Sequence, residues 1–173
     1  MVLTKQELIT ALQEEIRILL HLASKVDPAK LDYRPTPTQR TTLEVLQYLT
    51  IMAPIHLRGV MADTFDMDAW RNDWNTGEAA AKAMNLQQAK DAIAAHSSLF
   101  AELLGPCSDA DLRAEISIFG RKASRGSMIV SLVLSHFTAY RMQLFLYLKS
   151  SGHEELNTMN LWVGMDPVQR STV

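Results

Sequence analysis

Cysteine occurs once in this chain, at Cys107, so no intrachain disulfide can staple the fold. A solitary thiol fits a reducing compartment, and the expected location is the cytoplasm. Excess charge is missing too. Lys and Arg number 17 against 19 Asp and Glu, a formal net charge of -2, which gives no footing for a nucleic-acid or anionic-membrane partner. No internal repeat, low-complexity tract or strong β-alternation is present. The opening residues Met1-Val2-Leu3-Thr4-Lys5-Gln6-Glu7 lack the basic-then-apolar order of a secretory signal. The most apolar stretch, 128–148, is long enough to span a bilayer, but His136, Arg141 and Gln143 fall in its middle, where lipid penalises them. It reads as a buried bundle helix, with no membrane expected.

What the chain does have is helical periodicity. Hydrophobic residues make up 47% and charged residues 21%, ordinary globular values, and 173 residues fit one domain, 1–173. Thr4-x-x-Glu7 is a capping box, followed by Leu8, Leu12, Ile16, Leu19 and Leu20 at helical spacing. Asp27-Pro28 stops that helix, and Pro35 and Pro37 keep the next connection extended. A second helix is expected from Thr41 or Thr42, with Glu44 in its first turn. Pro54 should kink it and strip the Thr50 carbonyl of its usual donor. Residues 63–84 read as a short helix and a loop. A third long helix is expected from Leu86 to Leu104, ended by Gly105-Pro106, and a fourth from Ser127, its cap, to Ser150. Residues 116–120 read as extended. The tail from Leu156 reads as irregular, with Leu161 and Trp162 able to pack on the bundle. Four long amphipathic helices in one domain define an all-α four-helix bundle with a long connection between helices 2 and 3.

The residues that attract chemistry lie on the fourth long helix. At 100° per residue, His136, Tyr140, Gln143 and Tyr147 fall within roughly 60° of one another. The stripe also holds Ile129 and Leu132, so it faces the bundle, where polar groups must bond to protein or line a pocket.

The segment His136-Phe137-Thr138-Ala139-Tyr140-Arg141-Met142-Gln143-Leu144, followed by Tyr147-Leu148 and Gly152, resembles the final-helix motif of the DinB/YfiT-like bundles. That motif reads His-x-x-x-His-Arg-Gly-Gln, then an apolar residue, a Tyr-Leu pair and a glycine. Arg34-Pro35 through Thr42-Leu43-Glu44-Val45-Leu46-Gln47-Tyr48-Leu49 is similar to the same family's approach to its second helix. The resemblance implies a DinB/YfiT-like topology and a Zn²⁺ or Ni²⁺ site of three histidines, one on the second helix and two on the last. It also implies kinship with proteins similar to thiol transferases and metal-dependent hydrolases.

The sequence departs from that pattern at two of the three implied ligands. His136 matches, but Tyr140 and Tyr48 occupy the other two positions, and Met142 replaces the glycine. A neutral phenol, with a pKa of about 10, is a poor ligand for a divalent ion. Weak metal binding, or none, is therefore expected, with Tyr48, His136, Tyr140 and Gln143 lining a small internal pocket for a small molecule. The alternative is a metal-dependent enzyme that recruits another histidine to His136. His56 is eight residues past Tyr48, about 80° round and roughly 12 Å along an ideal helix. His96 and His21 are the remaining candidates.

Other groups read as structural. Cys107 has no basic neighbour to lower its pKa, and the acidic run from Asp63 to Asp73 lacks the glycine and glutamate of a calcium loop. Arg121, Lys122 and Arg125 read as a solvated cluster, Arg141 as an anchor for a carboxylate, and Trp70 and Trp74 as packing. A homodimer through bundle faces is the expected assembly.

Overall fold

The computed structural model describes residues 3–167. The long helices are α1 (Lys5–Ala23), α2 (Thr42–Met61), α3 (Met67–Lys82), α4 (Leu86–Leu104) and α6 (Arg125–Ser150), with a short α5 (Asp109–Arg113) and a hairpin, β1 (Glu115–Ile118) and β2 (Arg121–Ser124), before α6. It is an all-α bundle. Helices α1 and α2 each pack against both α4 and α6, and α3 lies outside against α2.

Capping fixes where the chain enters each helix. Thr4 with Glu7, Thr41 with Glu44 and Asn85 with Gln88 form complete boxes at the starts of α1, α2 and α4. Each cap contributes about 1 kcal/mol. The inward stripes then meet. Leu12, Ile16, Leu19, Leu46, Leu49, Met52, Ile93, Phe100, Phe137 and Leu144 are all buried in one core. Burial of each such side chain stabilises the fold by about 1.5–3 kcal/mol.

Pro54 sits inside α2, which nevertheless runs unbroken from Thr42 to Met61. Proline has no N–H to give the Thr50 carbonyl, and His96 on α4 supplies the missing donor: its Nε2 donates to that oxygen at 3.0 Å. The expected loss is real, and a histidine from the neighbouring helix repairs it.

Residues 63–84 differ from the expected short helix and loop. Most of the segment is the sixteen-residue α3, capped by Asp66, whose carboxylate accepts from the amides of Asp68 and Ala69. Trp70, Trp74, Gly77 and Ala81 make a narrow apolar stripe at helical spacing, seated on Ile51 and Ile55 of α2. Gly77 permits the close approach, since a Cβ there would lie 3.3 Å from both isoleucines. The long connection between the second and third bundle helices is thus itself mostly helix.

The extended residues 116–120 belong to the β1–β2 hairpin, whose tip is Phe119-Gly120. Both have positive φ, 51° and 75°, as a two-residue hairpin turn requires. The glycine takes that conformation freely. The phenylalanine does so against steric preference.

Helix α6 starts two residues before the expected cap, because the Ser124 hydroxyl, not Ser127, accepts the first-turn amide. It is the one described helix long and apolar enough to cross a bilayer, yet it lies in the bundle, with Arg141 buried against Glu15 at 3.0 Å. That is the carboxylate Arg141 was expected to anchor. Residues Val130–Leu134 form a wide π-helical turn, so the 100° spacing cannot be carried back from His136 to Ile129 and Leu132. In the tail, Leu156 and Leu161 are buried, whereas Trp162 is exposed beside the Arg141 guanidinium.

Candidate functional site

Tyr48 on α2 and Tyr140 on α6 face each other, with ring centroids 4.7 Å apart. Arg40 completes the arrangement. It stands immediately before the capping residue Thr41, so the box that starts α2 also sets where its side chain begins. The Arg40 guanidinium lies 4.2 Å over the Tyr48 ring, and its Nη1 donates to the Tyr140 hydroxyl at 3.2 Å. The Arg40 carbonyl accepts from the Tyr147 hydroxyl at 3.1 Å, and Gln143 Nε2 donates to that same hydroxyl at 2.6 Å. Gln143 therefore joins the stripe through Tyr147, away from His136.

One turn before Tyr140, the His136 ring stacks on His56 at 5.7 Å. His56 in turn packs against Trp70 and Trp74, at 5.8 and 5.7 Å, and meets the hairpin-tip Phe119 edge-on at 6.2 Å. Two polar atoms here are shut from solvent without a hydrogen-bond partner, His136 Nδ1 and Trp70 Nε1. Burial, with a smaller contribution from His136, pushes His56 down to about 4 and keeps it neutral at physiological pH. Burial also pushes the Tyr48 phenol well above its usual value, and neighbouring Tyr140 adds to the effect.

Beside Tyr48 opens a cleft of about 290 Å³ between α2, α3 and the connection ahead of α2. Its walls include Arg34, Arg40, Glu44, Tyr48, Trp74 and Lys82.

Of the sequence candidates, Tyr48, His136 and Tyr140 come together, and His56 joins them. His96 is committed to the Thr50 carbonyl. His21 is remote, at the end of α1, bonded to Asn160 with Asp166 nearby. Sequence reasoning missed Arg40 and Phe119. The signal for Arg40 was its place directly before a capping box; the signal for Phe119 was the Phe-Gly pair between short extended runs.

Neither protein-family models nor curated proteins give a match to the sequence. Solved structures do. A DinB-like protein from Bacillus cereus ATCC 10987 aligns with a TM-score of 0.69 and 17% identity, over 88% of this chain and 95% of that one. The DinB-like protein YjoA from Bacillus subtilis aligns at 0.65, also with 17% identity, over 87% and 94%. The chain has the DinB-like fold.

The three histidine ligands implied by the sequence resemblance fall here on Tyr48, His136 and Tyr140. These residues do not fit a divalent metal. A phenol is a poor ligand for a divalent ion unless it loses its proton, and Tyr48 is harder to deprotonate than a free tyrosine. The guanidinium already covering the two rings would repel a second cation. Among the described residues, no group of three His, Cys, Asp or Glu side chains is placed to hold a metal ion.

Proposed function

We propose that this protein is a non-catalytic, cytoplasmic, small-molecule-binding bundle with weak or no metal affinity, whose pocket is the cleft beside Tyr48. Of the four residues expected to line a pocket, Tyr48 lines this one, Gln143 lines a separate groove with Tyr147, and His136 and Tyr140 line neither. The observation that carries the reading is the Arg40–Tyr48–Tyr140 stack bordering an open cleft. A cation fixed by the protein stands over the two phenols, and the adjacent space is walled by both aromatic and charged groups. Such mixed walls suit an organic ligand that needs both apolar contact and a polar anchor. Homodimerisation belongs to the same reading; exposed Leu146, Trp162 and Met165 offer apolar surface for it, and a monomer by light scattering over a wide concentration range would remove it.

A second reading, a metal-dependent enzyme resembling thiol transferases or hydrolases, has one observation in its favour: His56 packs beside His136. Elemental analysis of untagged protein separates the two. The binding reading expects a small fraction of one equivalent of any transition metal after exposure to Zn²⁺ or Ni²⁺ and desalting. A full equivalent, lost on mutating either histidine, would overturn the weak-metal reading and favour the enzyme reading, which then requires turnover of a thiol-transfer or hydrolysis substrate.

A further inference from the structure

We propose that the cleft beside Tyr48 selects organic anions with a flat apolar body, and that Arg40 is the residue that sets this charge preference. The inference rests on the small-molecule reading above.

Charge accounting within the cleft leads to it. Arg34 lies 3.7 Å from Glu44, and Lys82 lies 3.3 Å from Glu78, so two of the three cations in the walls have a carboxylate partner. Among the described residues, no carboxylate lies within ion-pair distance of Arg40. Its charge is the cleft's surplus. A guanidinium has five N–H donors in a planar fork, and only Nη1 of Arg40 is engaged with another side chain, Tyr140. The remaining donors suit a carboxylate, which an arginine fork can take in bidentate fashion.

The group is also held in place. The Tyr48 face lies 4.2 Å beneath Arg40 Cζ, and the Tyr140 ring centroid lies 5.9 Å away. A guanidinium already stacked on aromatic rings loses less freedom on binding than a free arginine side chain does. The flat body of the ligand has its own surface in Trp74, tilted 60° against Tyr48 at 5.8 Å, with Ile51 beside it. About 290 Å³ accommodates one or two fused rings with one acidic group. An inorganic anion would reach Arg40 but leave the apolar wall unused. A neutral ring would use the wall but forgo a charge-assisted bond.

The test compares 2-naphthoate, 2-naphthylmethanol and inorganic phosphate as probes, read by NMR on the Trp74 indole N–H and the Arg40 Nε–H of the full chain. The expected result is that naphthoate binds at least ~10-fold tighter than the alcohol, phosphate binds weakest, and Arg40→Gln removes the difference while Arg40→Lys keeps part of it. The ratio between acid and alcohol in the unmodified protein needs no variant, so a poorly folding Arg40→Gln would not spoil the test. Equal binding of acid and alcohol overturns the charge preference and leaves the small-molecule site standing. A preference for naphthoate that survives in a folded Arg40→Gln overturns the role of Arg40. No perturbation by any probe overturns the binding reading itself.

Discussion

His96 and His136 both project inward from long helices of one bundle, and the fold accounts for them differently. His96 has a backbone reason to be where it is. Pro54 removes the donor for the Thr50 carbonyl, and the imidazole Nε2 replaces it at 3.0 Å. Since a carbonyl can only accept, that nitrogen carries the proton, and the unpaired Nδ1 of His96 is a bare lone pair. No comparable debt explains His136. It stacks on a second imidazole, His56, next to two tryptophans and an arginine–tyrosine stack, and its Nδ1 has no partner. A buried polar group that repairs the backbone is structural; one that repairs nothing marks where a ligand would be looked for.

The largest test of this contrast is pH. Burial holds His56 and His96 at about 4, below the ordinary 6.5. The unfolded chain therefore takes up protons first as pH falls. Their contribution to stability is complete above about pH 6.5 and is lost between there and about pH 4. Each histidine accounts for on the order of 3 kcal/mol. Urea midpoints for the wild type should fall steeply across that window. His96→Leu should fall less steeply, because one of the two titrating groups is gone. Parallel profiles would mean that His96 is not held neutral by the fold.

Smaller effects separate the two histidines near neutral pH. His96→Leu leaves a buried carbonyl without a donor and should cost about 1–3 kcal/mol. Pro54→Ala in that background restores an N–H to the helix ladder and should recover most of the loss. His136→Leu removes no hydrogen bond and should change stability by less than about 1 kcal/mol. Equal costs for the two leucine variants would erase the distinction between a structural and a candidate functional histidine.

The elements with wide apolar stripes were legible from residue order: the Thr4 box marked the start of α1, and the starts of α2 and α4 were expected at Thr41 or Thr42 and at Leu86, while the boxes at Thr41 and Asn85 emerged from the structure. The full length of helix α3 was not legible, because its apolar stripe, Trp70, Trp74, Gly77 and Ala81, is narrow and set among acidic residues such as Asp68 and Asp73, so 63–84 read as only a short helix and a loop. The meeting of Tyr48 with Tyr140 was implied by the resemblance to the DinB/YfiT-like bundles, which assigns both positions to one site. Arg40 was not, since its position depends on how an irregular connection arrives at the cap. His56 was uncertain for a related reason: its angle from Tyr48 is measured across Pro54, and only the structure shows α2 continuing unbroken. Phe119 required knowing that its residue pair turns a hairpin with positive φ.

Tyr48, His136 and Tyr140 occupy the positions that the resemblance gives to three histidine ligands, and under the function proposed above the two phenols beneath Arg40 weaken metal binding there. Restoring the imidazoles tests this directly. A chelator-competition titration of Zn²⁺ should show at least ~100-fold tighter binding by Tyr48→His/Tyr140→His than by the wild type, with helicity unchanged, and the gain should disappear when His136→Ala is added. Wild-type protein that binds Zn²⁺ as tightly as the folded double variant would contradict the account.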